Sequence, residues 1–243
     1  ASSTSLHFEQ LKFLEENFEG KIILVEKPLF HKFNELKIIK NKVYVGYNLR
    51  FHPMINKIKE ICTGRKLWCT NIFCGSYLPD WRPGRDYRET ESAKRITGGG
   101  VLLDLSHELD YIRWMFGEIS VAHVYNEKIS NLEIDSDDLM MLTGKTENSA
   151  KLHISLNYFT RKKMRNIIID GEGISIQADL IENKMSVFMD EQEKSYNWSE
   201  IGRNYTYIAQ HKALVESNFT DICSFSEGMK TMKLIDHIKS NSL

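Results

Sequence analysis

Three ionisable side chains recur at three-residue steps directly after a glycine-rich turn. The turn is residues 98–100, and the side chains are Asp104, His107 and Asp110. On one helix over residues 101–116, this spacing predicts that the imidazole lies between two carboxylates, which would fix its tautomer and raise its basicity. The pattern therefore predicts a proton-transfer site centred on His107.

A lysine at the end of an apolar run is the second reactive candidate. Lys27 follows the strand-like run 22–25 and precedes Pro28, which favours an extended backbone at the residue before it. Lysine and histidine together suit acid and base catalysis at a hydroxyl or carbonyl group. The alternative is an exposed strand-end lysine without a chemical role.

Each helix side chain also has a structural explanation. His107 could be a core histidine satisfied by its neighbours, although the flanking carboxylates and the glycine-rich turn favour a functional role. Asp104 could simply stabilise the positive end of the helix dipole, and that role is as well supported as catalysis or substrate binding. Asp110 could pair with Arg113, although its position favours orienting His107.

The composition is that of an ordinary globular protein. Of the 243 residues, 42% are hydrophobic and the net charge is −1, so no electrostatic footprint indicates nucleic acid or a membrane surface. The four cysteines form no C-x-x-C pair, which argues against metal binding and disulfides. No long apolar run or signal-peptide pattern occurs. We therefore expect a cytoplasmic protein without a metal, a nucleic-acid partner or a membrane partner.

Arginine and aromatic residues are concentrated in the stretch 78–88. Arg82 and Arg85 suit carboxylate or phosphate groups, and Tyr87 suits a sugar ring or a base. The loop therefore predicts substrate contacts near the glycine-rich turn. A rigid surface loop or a dimer contact is an equally supported alternative.

Other basic side chains are interpreted without a chemical role. Residues 161–163, with Arg165 just after them, read as a solvated turn between strands. His52, His153 and His211 lack comparable neighbours and are interpreted as structural.

Residues 1–50 alternate helix-like and strand-like segments, as in a doubly wound sheet. Helices are expected at 4–17 and 31–39, and strands at 22–25 and 42–47. This is the α/β part of the predicted fold.

Residues 51–243 change to long strand-like segments joined by short turns. They predict a larger α+β domain with a mostly antiparallel open sheet flanked by helices. The strands are expected at 67–77, 120–129, 139–143, 150–159, 165–170, 174–178 and 185–189, with a hairpin turn at 170–173. The helices are expected at 54–62, 101–116, 205–219 and 226–240.

The order and spacing of these motifs resemble the glucose-fructose oxidoreductase, inositol dehydrogenase and MocA (Gfo/Idh/MocA) family. Glu26-Lys27-Pro28 comes first, residues 46–53 (GYNLRFHP) follow, and the glycine run with Asp104, His107 and Asp110 closes the series. The resemblance extends from residue 4 to residue 238. Many members place the histidine four positions after the aspartate, whereas the step here is three, so His107 and Asp110 match more firmly than Asp104.

Members of this family are NAD(P)-dependent dehydrogenases of sugars, sugar derivatives and cyclitols. The resemblance implies half of a Rossmann domain in residues 1–50 and a substrate and dimerisation domain in residues 51–243, whose C-terminal helix can pack back on the first part. It implies a dimer or tetramer formed through the open sheet face. It also implies NAD or NADP contacts at Thr4, His7, Glu26, Lys27, Pro28, Asn48 and Arg50.

The usual dinucleotide fingerprint of such enzymes does not occur in this sequence. There is no G-x-G-x-x-G turn, and residues 1–7 resemble the loop after the fourth Rossmann strand, so the chain is expected to lack the N-terminal half of that domain. The expected function is hydride transfer between NAD(P) and a sugar-like hydroxyl or carbonyl, with His107 moving the proton and Lys27 stabilising the alkoxide. The alternative is a non-catalytic binding or dimerisation module, or an inactive fragment.

Overall fold

The chain folds into eleven strands and six helices within the described range. A computed structural model describes residues 2–242, while residues 1 and 243, the outer ends of the two predicted domains, lie outside the described residues. The strands are β1 (Ile22–Val25), β2 (Lys42–Val45), β3 (Leu67–Gly75), β4 (Ile119–Glu127), β5 (Leu139–Thr146), β6 (Lys151–Asn157), β7 (Met164–Gly171), β8 (Ile174–Asp179), β9 (Lys184–Met189), β10 (Gln192–Asn197) and β11 (Cys223–Ser224). The helices are α1 (His7–Asn17), α2 (Pro53–Cys62), α3 (Val101–Asp104), α4 (His107–Phe116), α5 (Tyr205–Val215) and α6 (Phe225–Ser240). Within residues 2–242, no helix combines the length and the apolar character needed to cross a membrane.

A small sheet holds the N-terminal part of the chain together with its C-terminal end. β1 and β2 pair in parallel, and the short β11 pairs antiparallel with β2. β11 leads directly into α6, whose first turn is closed by a capping box between Ser224 and Glu227. Gly228 lets α6 approach β2, since a Cβ at this position would lie 2.5 Å from Val45 Cγ2. The C-terminal helix is thereby fixed on the small sheet.

Residues 31–39 are irregular, so the helix predicted there is wrong. The Glu15 carboxylate on α1 accepts hydrogen bonds of 2.6 Å from the backbone N–H groups of both Ile39 and Lys40. Apolar side chains of the segment also pack against the core. These contacts over long sequence distance satisfy the backbone in place of a helical ladder.

The large sheet has the order β10-β9-β8-β7-β3-β6-β5-β4 and is antiparallel except for the β3/β6 pair. This architecture confirms the predicted mostly antiparallel sheet flanked by helices. The predicted hairpin joins β7 and β8, where Gly173 adopts a φ of +68°. β10 was not predicted, because its sequence QEKSYN lacks apolar alternation and the strand is held by pairing with β9.

The glycine-rich turn leads into a broken helix. Gly100 has a φ of +118°, and a Cβ there would lie 2.3 Å from Asp137 Oδ1, so only glycine fits. The Asp137 carboxylate accepts a hydrogen bond of 3.0 Å from the Leu102 N–H and thus caps the first turn. Helix α3 then ends at Asp104, and α4 begins at His107. The single helix predicted over 101–116 is therefore wrong at its centre.

Candidate active site

His107, at the start of α4, lines a cavity of about 310 Å³. The walls come from the turn at 48–52, the start of β7, the loop after β8 and the segment 201–207. This volume falls at the lower end of the range of about 300–1,000 Å³ typical of small-molecule sites. The cavity is thus large enough for a compact ligand beside the imidazole.

The His107 ring is enclosed on one side. Its Nδ1 is buried and has no hydrogen-bond partner within residues 2–242, which leaves Nε2 as the nitrogen that can meet a ligand. The Tyr47 ring lies edge-on to it, with the ring centres 5.6 Å apart. Burial and the positive charges of Lys27 and Arg165 lower the pKa of His107 well below its usual value. The predicted increase in basicity is wrong, because cations rather than carboxylates surround the imidazole.

Asp104 contacts Lys27 and Tyr158 instead of the imidazole. Its Oδ2 accepts a hydrogen bond of 2.6 Å from the Tyr158 hydroxyl, and its backbone oxygen accepts one of 2.5 Å from Lys27 Nζ. In a continuous helix that oxygen would bind the N–H of Glu108, but this N–H bonds to Leu105 O at 3.3 Å. The helix break therefore frees a carbonyl group that holds the lysine.

Lys27 is half-buried beside this cluster. Burial lowers the pKa of its ammonium group, and the negative charge of Asp104 opposes the shift. The structure thus brings together the lysine and the histidine that the sequence predicted as partners.

Asp110 forms an ion pair with Arg50, and this pair corrects the role predicted for each of the two residues. Arg50 Nε and Nη2 donate to the two Asp110 oxygens at 2.9 and 2.8 Å, and Arg50 Nη1 donates to Glu227 Oε1 at 2.7 Å. A buried carboxylate needs a cation, and the planar guanidinium satisfies both of its oxygens at once. Asp110 therefore does not orient His107, and Arg50, only 1% exposed, is not available to a cofactor. Nor does Asp110 pair with Arg113, which binds Glu118.

Arg165 belongs to the cavity, so its interpretation as part of a solvated turn is wrong. Its Nε donates to the fully buried Glu108 at 2.7 Å. On β7 it shares a face with the buried Ile167 and Ile169. Because side chains alternate along a strand, this two-residue step was the available signal. The exposed residues 161–163 do form a turn.

The remaining predicted cofactor residues lie near the Lys27 cluster. The His7 imidazole Nδ1 lies 3.1 Å from the Pro28 carbonyl oxygen, and Thr4 packs against Gly98 of the glycine-rich turn. Glu26 follows β1 at the mouth of a groove of about 140 Å³ between β1 and α1. Asn48 lines the His107 cavity and donates to Thr206 Oγ1 at 2.6 Å.

The arginine-rich loop does not reach the His107 cavity. Arg82 and Arg85 are exposed, and together with Tyr87 they line a separate hollow of about 10 Å³. The Tyr87 hydroxyl accepts a hydrogen bond of 3.1 Å from the Glu133 N–H. The predicted substrate contacts at these three residues are therefore not brought together with His107.

Several cavity residues were not predicted. Arg165 and residues of the segment 201–207 line the cavity, and Tyr158 binds the nearby Asp104; none of them lies in a local sequence motif. His52, which was interpreted as structural, also lines the cavity. Its Nε2 lies 3.0 Å from Asn183 Oδ1, and its Nδ1 accepts a hydrogen bond from the Met54 N–H and so caps α2. Within residues 2–242, no group of three or more His, Cys, Asp or Glu side chains is placed to hold a metal ion.

The fold and the site define a protein with two sheets. Lys27 follows a parallel strand of the small sheet and lies near His107, which is beside the open, mostly antiparallel sheet. Residues 64–177 match the family model for the GFO/IDH/MocA C-terminal domain. Over these residues the chain resembles the GFO/IDH/MocA family, so the predicted resemblance is confirmed. No curated protein matches the chain in sequence.

Solved structures share the fold over almost the whole chain. Levoglucosan dehydrogenase in complex with NADH and levoglucosan is 21% identical, with a TM-score of 0.80 over 100% of this chain and 77% of that one. The WlbA dehydrogenase from Bordetella pertussis, in complex with NADH and UDP-GlcNAcA, is 15% identical with a TM-score of 0.74, covering 100% and 75%. A super-repressor mutant of Gal80p from Saccharomyces cerevisiae is 12% identical with a TM-score of 0.82, covering 99% and 76%. At these identities the likeness shows the fold.

Proposed function

We propose that this chain acts in a nicotinamide-dependent oxidoreductase that transfers a hydride to or from a sugar or sugar derivative. The observation that carries the proposal is a neutral His107 that lines a cavity and lies close enough to the half-buried Lys27 for the ammonium charge to lower the imidazole pKa. Two structural relatives bind NADH together with a sugar or sugar nucleotide, which supports the same ligand classes here.

His107 and Lys27 divide the proton and charge chemistry between them. Because the pKa of His107 lies well below 6.5, the imidazole is neutral at neutral pH, and in the tautomer with its hydrogen on Nδ1 it can accept the proton of a substrate hydroxyl at Nε2. The Lys27 ammonium stabilises the negative charge that develops on the substrate oxygen. In the reverse direction the protonated imidazole, disfavoured beside two cations, readily returns its proton.

The residues of the chain fit the nicotinamide end of a dinucleotide. Glu26, Lys27 and Pro28 would border the nicotinamide ribose; His7 lies 3.1 Å from the Pro28 carbonyl oxygen, and Thr4 packs against Gly98. When bound there, a nicotinamide supplies or accepts the hydride. The sequence contains no G-x-G-x-x-G turn to cradle a pyrophosphate, so these residues position the reactive end only.

The proposal includes two domains, residues 1–50 and 51–243, and a homo-oligomer formed through the open face of the large sheet. This face presents Met141, Ile168 and Phe188, which are 38%, 40% and 52% exposed. The three side chains lie on β5, β7 and β9 of the same sheet face, and exposed apolar side chains gathered on one face favour a protein interface. Light scattering at two concentrations should give a dimer or tetramer, and a monomer at both would contradict this part.

A non-catalytic binding module is the alternative, favoured by the missing glycine fingerprint. A fluorescence titration of NADH and NADPH against the chain separates the two functions. Saturable binding of either cofactor, weakened in Lys27→Met and unchanged in the exposed-lysine control Lys162→Met, supports the oxidoreductase. No saturable binding of either would favour the module.

A further inference from the structure

The wall of the His107 cavity is positively charged. It includes Arg165 and Arg203, and within residues 2–242 none of its side chains is Asp or Glu. His52 and His107 also line this wall, and burial lowers the pKa of both, so neither adds a positive charge at neutral pH. The cavity therefore differs from the chain as a whole, whose charges nearly balance.

Arg165 has unused hydrogen-bonding capacity. Its Nε donates to Glu108, but within residues 2–242 its terminal nitrogens have no acceptor, and Nη2 is buried. Its side chain is 20% exposed, at the cavity wall. Leaving buried donors of a charged group unpaired is unfavourable, so a ligand oxygen there would be stabilised.

Arg203 supplies a second, uncompensated charge. It is exposed on the segment before α5 and forms no ion pair within the described part of the chain. Glu108 offsets the charge of Arg165, whereas nothing in the cavity wall offsets Arg203. The two guanidinium groups leave the cavity with a surplus positive charge near the reacting histidine.

We propose that the sugar substrate carries an anionic substituent, a carboxylate or a phosphate, that Arg165 and Arg203 bind while a hydroxyl meets His107. This assignment rests on the proposed function, because it gives that cavity its substrate class. Asn48 and Asn183 keep uncharged amide atoms in the same wall for the other hydroxyls. Arginine suits this role because its fork matches both carboxylate and phosphate oxygens.

Calorimetric titration with glucose, glucuronate and glucose 1-phosphate tests the inference on the chain itself. At least one anion should bind about tenfold or more tightly than glucose at low salt, with the advantage shrinking as salt rises. The preferred anion distinguishes a carboxylate from a phosphate. The advantage should disappear in Arg203→Gln and persist in Arg82→Gln, whose arginine lies outside the cavity.

Arg165→Lys provides a second variant that keeps a cation for Glu108 and so preserves the fold, checked by thermal melting. It should reduce the advantage of the anion, because an ammonium group lacks the guanidinium fork. Equal binding of glucose and both anions, binding of none of the three, or an equal loss in Arg82→Gln would overturn the inference. Hydride transfer is measured separately. If only neutral sugars are turned over, in a reaction that depends on His107, this inference is overturned and the proposed function stands. If anions bind selectively and no sugar is turned over, the proposed function is overturned and the anion site stands.

Discussion

The buried charged groups at α4 form two sets, a paired side and an unpaired side. On the paired side, both Asp110 oxygens bind Arg50. On the unpaired side, His107 Nδ1, Glu108 Oε2 and Arg165 Nη2 are buried without a partner within residues 2–242. Native proteins pair nearly all their buried polar groups, so exceptions that cluster at a cavity point to chemistry. The paired side holds the fold, and the unpaired side is held ready for a ligand.

Breaking the paired side should have the largest effect on stability. Arg50→Ala leaves Asp110 buried without its cation, which should lower the free energy of unfolding by about 3–5 kcal/mol. Urea denaturation measures this loss. Lys12→Ala, at an exposed helix pair, is the control and should leave the midpoint unchanged. A loss below about 1 kcal/mol for Arg50→Ala would remove the distinction between the two sides.

A substitution on the unpaired side should lower kcat and leave the free energy of unfolding nearly unchanged. Lys27→Met loses the ammonium that stabilises the substrate oxygen, so kcat should fall about a hundredfold or more. Its free energy of unfolding should change by less than about 1 kcal/mol, because one hydrogen bond to Asp104 O is lost while a buried charge is removed. Steady-state kinetics with denaturation measure both quantities, and Lys162→Met is the matched control. Unfolding of Lys27→Met, or an unchanged kcat, would contradict this account.

Acid should destabilise the protein through His107. The unfolded chain takes up a proton on this histidine near pH 6.5, whereas the folded protein resists protonation until well below that pH. Stability should therefore fall as pH drops below about 6.5, by up to about 1.4 kcal/mol per pH unit for this group.

The half-buried His31 and the buried His52 have lowered pKa values as well, so the contribution of His107 must be isolated by comparison. Subtracting the pH dependence of His107→Asn from that of the wild type, by denaturation at pH 5.5 and 7.5, gives it directly. Identical slopes for the two proteins would show that His107 is not held neutral.

Tyr158→Phe should have the smallest effect. It removes one hydrogen bond to the half-buried Asp104 carboxylate, which water can replace, so the expected loss is about 1 kcal/mol. Thermal denaturation measures it. A loss as large as that of Arg50→Ala would mean that the paired side and the unpaired side contribute to stability alike.

Local patterns were sufficient for most of the fold. Alternation predicted β3 to β9 to within a few residues, and apolar spacing predicted α2 and α6. The strand β10 and the irregular segment 31–39 were not recognised, because pairing with β9 and hydrogen bonds from Glu15 determine them.

The reactive pair was accessible from the sequence, but its partners were not. Lys27 and His107 stood out by type and context. Arg50 and Asp110 are 60 residues apart, and Arg165 and Glu108 are 57 apart, so no helical or strand period links them. The helix break at 105–106, which frees the Asp104 carbonyl for Lys27, likewise depends on tertiary contacts.

The most direct test of the central claim is the rate of deuteride transfer from 4-deuterated NADH to the ring carbonyl of a keto-sugar acceptor. Mass spectrometry would follow a single turnover of the wild type and of His107→Asn. The account predicts label on a ring carbon in the wild type, and a rate about a hundredfold or more lower in the variant, with an unchanged melting temperature. Equal rates, or no transfer in the wild type with every acceptor, would contradict it.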